Sequence, residues 1–294
     1  MGVDSKMIAA LMTCYYPDSE NIKNIDIISK QVDKIFVCDN SPSNNKKMMP
    51  SDNEKIEYCF FGKNLGLSMA FNRILKEKKY HFDDDDFIIF FDQDSRINDG
   101  FISNLIKDYL EVEDKGYEIG CIGPVYFNNS SNMLEVPKVK TVISEKIYHV
   151  NSIITSSMLI KYSTLKELNF WNENVFLDMA DWDLCWRLNQ IGKMCTMSEN
   201  VIMNHTLGVG EKRLGPLRVR VGSPIREYYQ TRDCIYLLKE KYTPIRNKIM
   251  FIEMLSIRPV VHFLLLDSKK KRMKYVKRGI VDYFKKIRGV YVEK

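Results

Sequence analysis

The sequence lacks the cysteine pattern of a disulfide-stabilised or zinc-binding protein. Seven cysteines are scattered along 294 residues, and none of them forms a C-x-x-C pair. Scattered, unpaired cysteines are typical of proteins from reducing compartments. We therefore predict a cytoplasmic protein that has neither a disulfide framework nor a zinc site. The cysteines are Cys14, Cys38, Cys59, Cys121, Cys185, Cys195 and Cys234.

Long apolar runs are also missing. The first residues carry one lysine and then a short apolar run without a small-residue cleavage site, which does not predict a signal peptide. The longest charge-free run near the C-terminus covers residues 259–266, whereas a membrane-spanning helix needs about 20 apolar residues. With 45% hydrophobic and 28% charged residues, the chain is expected to be globular with a large core.

Negative charge is scarce at the C-terminal end. Residues 240–294 contain 15 Lys and Arg but 5 Asp and Glu, a net charge of +10. The whole chain carries +6, which leaves −4 for residues 1–239. The basic surface that would meet an acidic partner is therefore C-terminal.

The first half of the chain alternates short apolar runs with helical periodicity. This pattern predicts an α/β fold in which crossover helices join the strands of a mainly parallel central sheet. After Cys121 we expect mixed strands, then a helix near residues 181–191, a long loop after His205, and only helices beyond residue 223. The predicted strands are residues 7–13, 34–38, 56–60 and 87–91, and the helices between and after them are residues 19–31, 67–79 and 100–113.

Two carboxylates, Asp92 and Asp94, directly follow the apolar run 87–91 in the sequence "FFDQDSR". Ligands of open α/β sheets bind at the carboxyl ends of the strands, where such acids could hold a hard cation. The same acids could instead cap a helix or solubilise a loop. A calcium EF-hand loop is excluded because Arg96 and Ile97 stand where an oxygen ligand and a glycine are needed. Arg96 also replaces the threonine of an aspartyl-phosphatase motif.

A second acidic cluster, "FLDMADWDLCWRLNQIG", contains Asp178, Asp181 and Asp183. On a helix that begins near Asp181, Asp183 lies roughly 200° away from it, so the two acids cannot share one task. Asp183 precedes Arg187 by four residues, which predicts an ion pair. Asp178 and Asp181 could cap the helix or take part in chemistry. The predicted buried stripe is Leu184, Leu188 and Ile191.

Six segments in chain order resemble the family 2 glycosyltransferases of the GT-A fold. They are "CYYPD", "VCDNSPS", "NLGLSMAFNRIL", "FFDQDS", "FLDMADWDLCWRLNQIG" and "NHTLG", spread over about residues 7–240. The D-Q-D-S and D-W-D-L-C-W-R forms are most similar to the bacterial rhamnosyltransferase branch. Cys14-Tyr15-Tyr16-Pro17 departs from the family's T-Y-N-P, and Arg232-Asp233 departs from its R-N.

The resemblance implies a donor site for a sugar nucleotide. Asp39 matches the acid that contacts the nucleotide base, and Cys14 and Tyr15 match positions that line the same pocket. Asp92 matches the acid near the ribose and diphosphate, and Asn64 stands where a further donor contact is possible.

The resemblance also implies metal and acceptor contacts. Asp94 matches the acid that coordinates a divalent metal, Mg²⁺ or Mn²⁺, and His205 stands where the family often has a histidine near the metal and diphosphate. Asp181 matches the general base. Tyr229 and Arg232 belong to an element that resembles the family's "YY..RN", and with Asp178 they are predicted to contact the acceptor or the diphosphate.

These positions together predict a metal-dependent inverting glycosyltransferase of bacterial polysaccharide or cell-wall biosynthesis. The expected donor is dTDP-L-rhamnose and the expected acceptor is a lipid-linked saccharide; no nucleic-acid partner is expected, and the oligomeric state is left open. A UDP-hexose or UDP-galactofuranose donor is an alternative, and so is a non-catalytic sugar-nucleotide-binding subunit.

The sequence suggests a catalytic domain and a basic C-terminal region. The catalytic domain would cover residues 1–222, with a nucleotide-sugar half at about 1–100 and an acceptor half at about 101–222. Residues 223–294 would be helical and contact an anionic membrane surface on its cytoplasmic side, because residues 269–288 carry a net charge of +9. The apolar stripe predicted for this contact is Met273, Val276, Ile280, Phe284, Ile287 and Tyr291.

Overall fold

A computed structural model describes residues 6–128, 133–135, 138–205, 210–214 and 217–293. The chain forms two compact units. The first comprises Met1–Asn172 and Ala180–Thr206, and the second comprises Glu173–Met179 and Leu207–Lys294.

The first unit contains ten strands and five α-helices, with a 3₁₀ turn at Lys46–Met48, among the residues described. In chain order they are β1 (Ile8–Cys14), α1 (Ser19–Ser29), β2 (Lys34–Asp39), β3 (Ile56–Phe60), α2 (Gly66–Leu75), β4 (Phe87–Asp92), α3 (Phe101–Asp114), β5 (Ile119–Asn128), β6 (Met133–Glu135), β7 (Val139–Ser144), β8 (Ile147–Val150), β9 (Met158–Lys161), α4 (Tyr162–Glu167), α5 (Ala180–Gln190) and β10 (Met194–His205).

All ten strands form one sheet in the order β3-β2-β1-β4-β9-β5-β10-β8-β7, with β6 paired to β5. β3, β2, β1 and β4 run parallel. β9 is antiparallel to both β4 and β5, and the β7–β8 pair is also antiparallel. The α/β prediction is confirmed, but the predicted mainly parallel sheet is wrong. The sheet is mixed because the described residues between β5 and β9 contain no helix that could serve as a parallel crossover.

The core of the first unit covers both faces of the parallel strands. Ile89 and Phe91 of β4 belong to a cluster that includes Ile25 of α1 and Leu105 of α3. Phe90, on the opposite face, packs against Phe71 of α2 and against Trp171, with ring centroids 4.6 and 5.0 Å apart. Burial on both faces explains why residues 87–91 are continuously apolar rather than alternating.

The second unit contains a hairpin and three helices among the residues described. They are β11 (Gly210–Leu214), β12 (Leu217–Val221), α6 (Arg226–Lys239), α7 (Ile245–Leu265) and α8 (Lys269–Phe284). The three helices confirm the helical prediction up to Phe284, but the described residues after Phe284, including Ile287 and Tyr291 of the predicted stripe, are not helical. The long loop predicted after His205 is wrong in part, because β11 and β12 pair in antiparallel register.

Helix α8 packs closely against α6. Gly279 faces the backbone of α6, where an added Cβ would lie 2.7 Å from the carbonyl oxygen of Tyr228, and the Tyr228 hydroxyl donates to Asp282 (2.9 Å). The stripe predicted for membrane contact therefore includes both buried and exposed side chains. Val276 is only 6% exposed, whereas Phe284 is 72% exposed. The ring of Tyr291 lies against Tyr228 and Tyr275.

Candidate active site at the carboxyl edge of the parallel strands

Three of the predicted donor-site residues lie at one edge of the sheet. Register pairs Thr13 of β1 with Asp92 of β4, and Cys14 of β1 with Asp39 of β2. Because these strands are parallel, their carboxyl ends meet at the same edge. The fold therefore brings Cys14, Asp39 and Asp92 together, as the sequence predicts.

The turn that carries the two acids is held by a serine network. The Asp92 N–H donates to Ser95 Oγ (3.1 Å), and the Ser95 N–H donates to the Asp92 carbonyl oxygen (3.1 Å). The hydroxyls of Ser95 and Ser156, both buried, share a hydrogen bond of 2.5 Å. This network fixes the backbone while Asp94 remains exposed, so the serine of D-Q-D-S acts in positioning the acids.

Gln93, between the two acids, ties this turn to the tip of β1. Its side-chain oxygen accepts from the Tyr15 N–H (2.7 Å). Its carbonyl oxygen accepts from the side-chain amides of Asn21 (3.0 Å) and Asn24 (3.1 Å) on α1. Sequence reasoning missed this function of Gln93, because the partners lie about 70 residues away and follow no local spacing.

Asp94 and Asp181 both act on Asp92, although Asp181 lies on α5. Burial, the charge of Asp94 and the charge of Asp181 raise the pKa of Asp92 from 3.8 to about 7. Like charges disfavour ionisation only when they are close together. The two acidic motifs, separated by more than 80 residues in the sequence, therefore converge within the first unit.

A divalent cation fits this group of acids. A cation would relieve the repulsion that raises the pKa of Asp92, and carboxylate oxygens suit Mg²⁺ or Mn²⁺. Within the described ranges, the set that brings three potential ligand atoms within 4.8 Å of one another consists of cysteines and not of these acids. The acids thus suit a metal held by one or two carboxylates, with water and phosphate oxygens as its other ligands.

We expect the stability of the metal-free protein to fall as the pH rises from about 4 to about 7. In that window folded Asp92 keeps a proton that the unfolded chain has lost, so unfolding releases it and becomes more favourable at higher pH. Each pKa unit corresponds to about 1.4 kcal/mol, and partial exposure to solvent reduces this value. Urea unfolding of chelator-treated protein at several pH values measures the slope. Asp92→Asn should flatten it, and an unchanged slope would mean that another group is responsible.

Asp39 is fully buried, and both of its carboxylate oxygens accept hydrogen bonds. Oδ2 accepts from the Tyr58 hydroxyl (2.5 Å) and from the Asn45 amide (2.9 Å). Oδ1 accepts from the Ser41 N–H (2.8 Å). Asp39 therefore organises the loop after β2. Burial and, to a lesser degree, Asp39 raise the pKa of the Cys14 thiol to about 12.

Tyr15 directly follows β1, and Asn64 lies two residues before α2. Tyr15 is 47% exposed and contacts the ring of Tyr16, which has a positive φ of 50°. Asn64 Oδ1 accepts from the Gly66 N–H (2.9 Å) at the start of α2. Gly66 has a φ of 77°, a conformation that favours glycine. Tyr15 thus offers an exposed ring, and Asn64 stabilises a turn.

In α5, the predicted ion pair of Asp183 and Arg187 is confirmed, and the chemical role of Asp181 stays a prediction. Asp183 is buried and pairs with Arg187 (2.8 Å), whose guanidinium also donates to the carbonyl oxygens of Leu168 and Phe170. Asp181 lies in the first turn, and its Oδ1 accepts from the Trp182 N–H (2.8 Å). Leu184 and Leu188 are buried as predicted. The prediction for Ile191 is wrong, because α5 ends at Gln190 and Ile191 is 39% exposed.

Three other predicted site residues belong to the second unit. Asp178 accepts from Arg226 and from Gln230 (2.8 Å), which holds the segment 173–179 on α6. Arg232 is 1% exposed and pairs with Asp233 (2.9 Å). The Tyr229 ring stacks on Phe176 with centroids 4.1 Å apart. Tyr229 and Arg232 therefore stabilise the packing of this unit. Their contact with the acceptor or a diphosphate stays a prediction.

His205 is the last residue of β10, where its backbone pairs with Asn128 of β5. Its side chain lies outside the described part of the structure. The predicted contact of His205 with a metal therefore stays a prediction.

The chain is similar in sequence to a curated protein over almost its whole length. No protein-family model matches the chain. The curated protein dTDP-rhamnosyl transferase RfbF of Shigella flexneri is 26% identical over 302 aligned residues, which cover 96% of each protein.

Solved glycosyltransferases share the fold. Mannosyltransferase PcManGT of Pyrobaculum calidifontis, in complex with GDP-Man and Mn²⁺, has a TM-score of 0.55 and 10% identity over 96% of this chain and 88% of its own. S. aureus TarS 1–349 has a TM-score of 0.55 and 12% identity over 94% and 80% of the two chains. GalNAc-T7 with UDP, GalNAc and Mn²⁺ has a TM-score of 0.54 and 11% identity. The match covers 96% of this chain and 58% of the GalNAc-T7 chain. Together with the curated relative, these similarities support a glycosyltransferase enzyme of the GT-A type.

Proposed function

We propose that this protein is a metal-dependent inverting glycosyltransferase of family 2 that transfers L-rhamnose from dTDP-L-rhamnose to a lipid-linked saccharide. The observation that carries the proposal is the convergence of Asp94 and Asp181 on Asp92 at the carboxyl edge of the parallel strands. The similarity to a curated dTDP-rhamnosyl transferase over 96% of both chains supports the donor. The catalytic part would comprise residues 1–222, and the pathway would be bacterial polysaccharide assembly.

The donor would lie along the edge formed by β1, β2 and β4. Asp94, with Asp92 beside it and His205 as a further candidate ligand, would hold Mg²⁺ or Mn²⁺, which offsets negative charge on the diphosphate. The exposed ring of Tyr15 is available to the nucleotide base. The buried Asp39 would act by holding the loop of Ser41 and Asn45 in place.

Asp181 would act as the general base. The acceptor hydroxyl is a weak nucleophile at neutral pH, so a carboxylate must take its proton while its oxygen attacks the anomeric carbon. The new C–O bond forms on the face opposite the diphosphate. The bond to the diphosphate breaks, and the diphosphate leaves with the electron pair of that bond. One such displacement inverts the anomeric centre, and a β-linked dTDP-L-rhamnose gives an α-L-rhamnoside.

A thermal-shift screen with Mn²⁺ tests the donor. We expect dTDP-L-rhamnose to raise the melting temperature more than UDP-glucose, UDP-galactose or GDP-mannose, because a ligand at 100 times its Kd stabilises the folded state by about 2.7 kcal/mol. The shift should disappear with a chelator. A larger shift with a UDP-sugar would favour a different donor, and no shift with any sugar nucleotide would contradict the proposal.

The second unit would attach the protein to an anionic membrane surface where the lipid-linked acceptor lies. No helix in the described part of the chain is long and apolar enough to span a bilayer. Helix α7, however, exposes an apolar face whose members are 41–78% exposed. They are Ile245, Ile249, Ile252, Ile257, Val260, Phe263 and Leu264.

Two features of the second unit support contact between the exposed face of α7 and a lipid surface: the position of its apolar residues and the charge of the residues that follow. The apolar positions 245, 249, 252, 260 and 263 recur along one side of the helix. Residues 269–288, which follow in the same unit, carry +9. An apolar helix face beside basic residues suits the headgroup region of an anionic bilayer, where each Lys or Arg near the surface adds about 1 kcal/mol. We therefore propose α7, in place of the α8 stripe, as the apolar contact with the membrane.

We expect the full-length protein to float with anionic vesicles at low salt and to be released at high salt, since exposed charges are screened beyond about 10 Å at 0.1 M. Replacement of Ile249, Ile252 and Val260 by serine should abolish flotation without lowering the melting temperature, because all three are 55% exposed.

A control variant with serine at Val142 and Ile202, exposed apolar residues of the first unit, should float like the wild type. Equal flotation of the α7 variant would contradict this attachment. Loss of a dimer on α7 substitution, without an effect on flotation, would assign the face to a second copy instead.

A further inference from the structure

Three cysteines that are far apart in the sequence meet in the interior of the first unit. Cys121 lies on β5, Cys185 on α5 and Cys195 on β10. Their sulfur atoms all lie within 4.8 Å of one another, and all three residues are 0% exposed. The spacing of these cysteines in the sequence does not predict a zinc site, because none of them forms a C-x-x-C pair. The parallel pairing of β5 with β10, and the helix packed on them, create a three-thiol cluster that no local motif encodes.

The spacing of the sulfur atoms is close to that of metal-bound thiolates. A zinc–sulfur bond is about 2.3 Å long, so three thiolates on one ion lie about 3.8 to 4.0 Å apart in tetrahedral or trigonal arrangement. Sulfur atoms within 4.8 Å need to move by only a few tenths of an ångström each. Thiolate ligands select soft cations such as Zn²⁺ over Mg²⁺, so the cluster and the acidic site would bind different metals.

The Asn189 amide donates toward the sulfur of Cys195 and links it to Lys140. Lys140 Nζ lies 3.5 Å from Asn189 Oδ1, and the Asn189 amide nitrogen lies 3.9 Å from Cys195 Sγ.

Charge balance favours a divalent ion. Three thiolates and one divalent cation carry a net charge of −1, which the Lys140 ammonium offsets. A monovalent ion would leave −2 in a buried site, at a higher cost in desolvation.

We propose that Cys121, Cys185 and Cys195 form a second metal site that binds one thiophilic divalent cation of the zinc group. The site would join α5 to β5 and β10. Cys185 follows Asp181 by one helical turn, so a bound ion would also restrain the helix that carries the proposed base. This inference rests on the cysteine geometry and does not depend on the proposed transferase activity.

Cadmium is a suitable probe because its thiolate bonds absorb in the ultraviolet and its carboxylate bonds do not. The full chain, reduced with a phosphine and stripped of metal, is titrated with Cd²⁺ in excess Mg²⁺. We expect the absorption to saturate at one ion per chain, native mass spectrometry to show one bound Cd²⁺, and protons to be released from the thiols into a weak buffer.

Cysteine variants locate the ion. Cys121→Ala, Cys185→Ala and Cys195→Ala should each weaken Cd²⁺ binding at least tenfold, which corresponds to about 1.4 kcal/mol. Cys38→Ala, an equally buried cysteine on β2, should bind like the wild type. Asp94→Ala should also retain the cadmium absorption, which separates this site from the acidic one.

The proposal is overturned if the wild type shows no thiolate absorption at one equivalent of Cd²⁺, or if the three cluster variants bind Cd²⁺ as tightly as the wild type. It is also overturned if Cys38→Ala loses the absorption. Circular dichroism of each metal-free variant shows whether it folds. If a cluster variant does not fold, the stoichiometry and the proton release of the wild type decide the question.

Discussion

Asp181→Asn is expected to lower kcat by about 10²–10⁴-fold, the range typical of a lost general base. An asparagine oxygen can still accept the hydrogen bond that Asp181 Oδ1 receives from the Trp182 N–H, so the start of α5 should keep its structure. The substitution also removes one of the charges that raise the pKa of Asp92. Metal-dependent donor binding should therefore remain near that of the wild type, or become tighter. Steady-state kinetics and calorimetric titration of the donor separate the two effects.

Asp183→Asn on the same helix is the matched control for Asp181→Asn. Asp183 is buried and paired with Arg187, and disruption of a buried pair destabilises a protein by up to about 3–5 kcal/mol. We expect a lower melting temperature for this variant with a nearly normal kcat per folded molecule. If Asp181→Asn instead lowers the melting temperature and leaves kcat unchanged, Asp181 is a helix cap and not the base.

Asp94→Ala is expected to abolish turnover and to remove the dependence of nucleotide binding on Mn²⁺. Asp94 is exposed on the turn after β4, and its charge acts on Asp92. Its carboxylate is therefore available to a cation without disturbing the buried Ser95–Ser156 network. Removal of Asp94 should also bring the pKa of Asp92 back toward its ordinary value. Titration calorimetry of dTDP with and without Mn²⁺ measures the effect.

Asp99→Ala controls for the loss of charge in the same region. Asp99 is exposed and lies five residues beyond Asp94, so its removal changes the net charge equally. This variant should bind dTDP and Mn²⁺ like the wild type. Unchanged Mn²⁺-dependent binding in Asp94→Ala would remove Asp94 from the metal site, and the ligand would then have to be sought at Asp92 or His205.

Local patterns predicted the elements that place the acids. The apolar run 87–91 forms the inner part of β4, and the strand ends at Asp92. The four-residue spacing of Asp183 and Arg187 forms the expected ion pair. Both predictions succeed because strand burial and helix pairing depend on residues that are close in sequence.

Contacts between residues far apart in the chain could not be predicted from the sequence. β9 inserts antiparallel between β4 and β5, and its four residues, three of them apolar, do not specify these partners. Arg232 matched a motif, yet the fold buries it against Asp233 and the rings of Phe176 and Tyr228. A motif identifies residue types, but burial decides whether their charges face a ligand or a counter-ion.

Sequence patterns were enough to predict the α/β class, the strand that ends in Asp92, the helix that begins near Asp181 and the basic C-terminal region. These features follow from periodicity and composition, which act over a few residues. The folded chain was needed to show that Asp181 lies near Asp92, that Cys121, Cys185 and Cys195 meet in the interior, and that α7 exposes apolar side chains. Each of these contacts joins segments far apart in the chain, so its position depends on how the whole core packs and not on any local pattern.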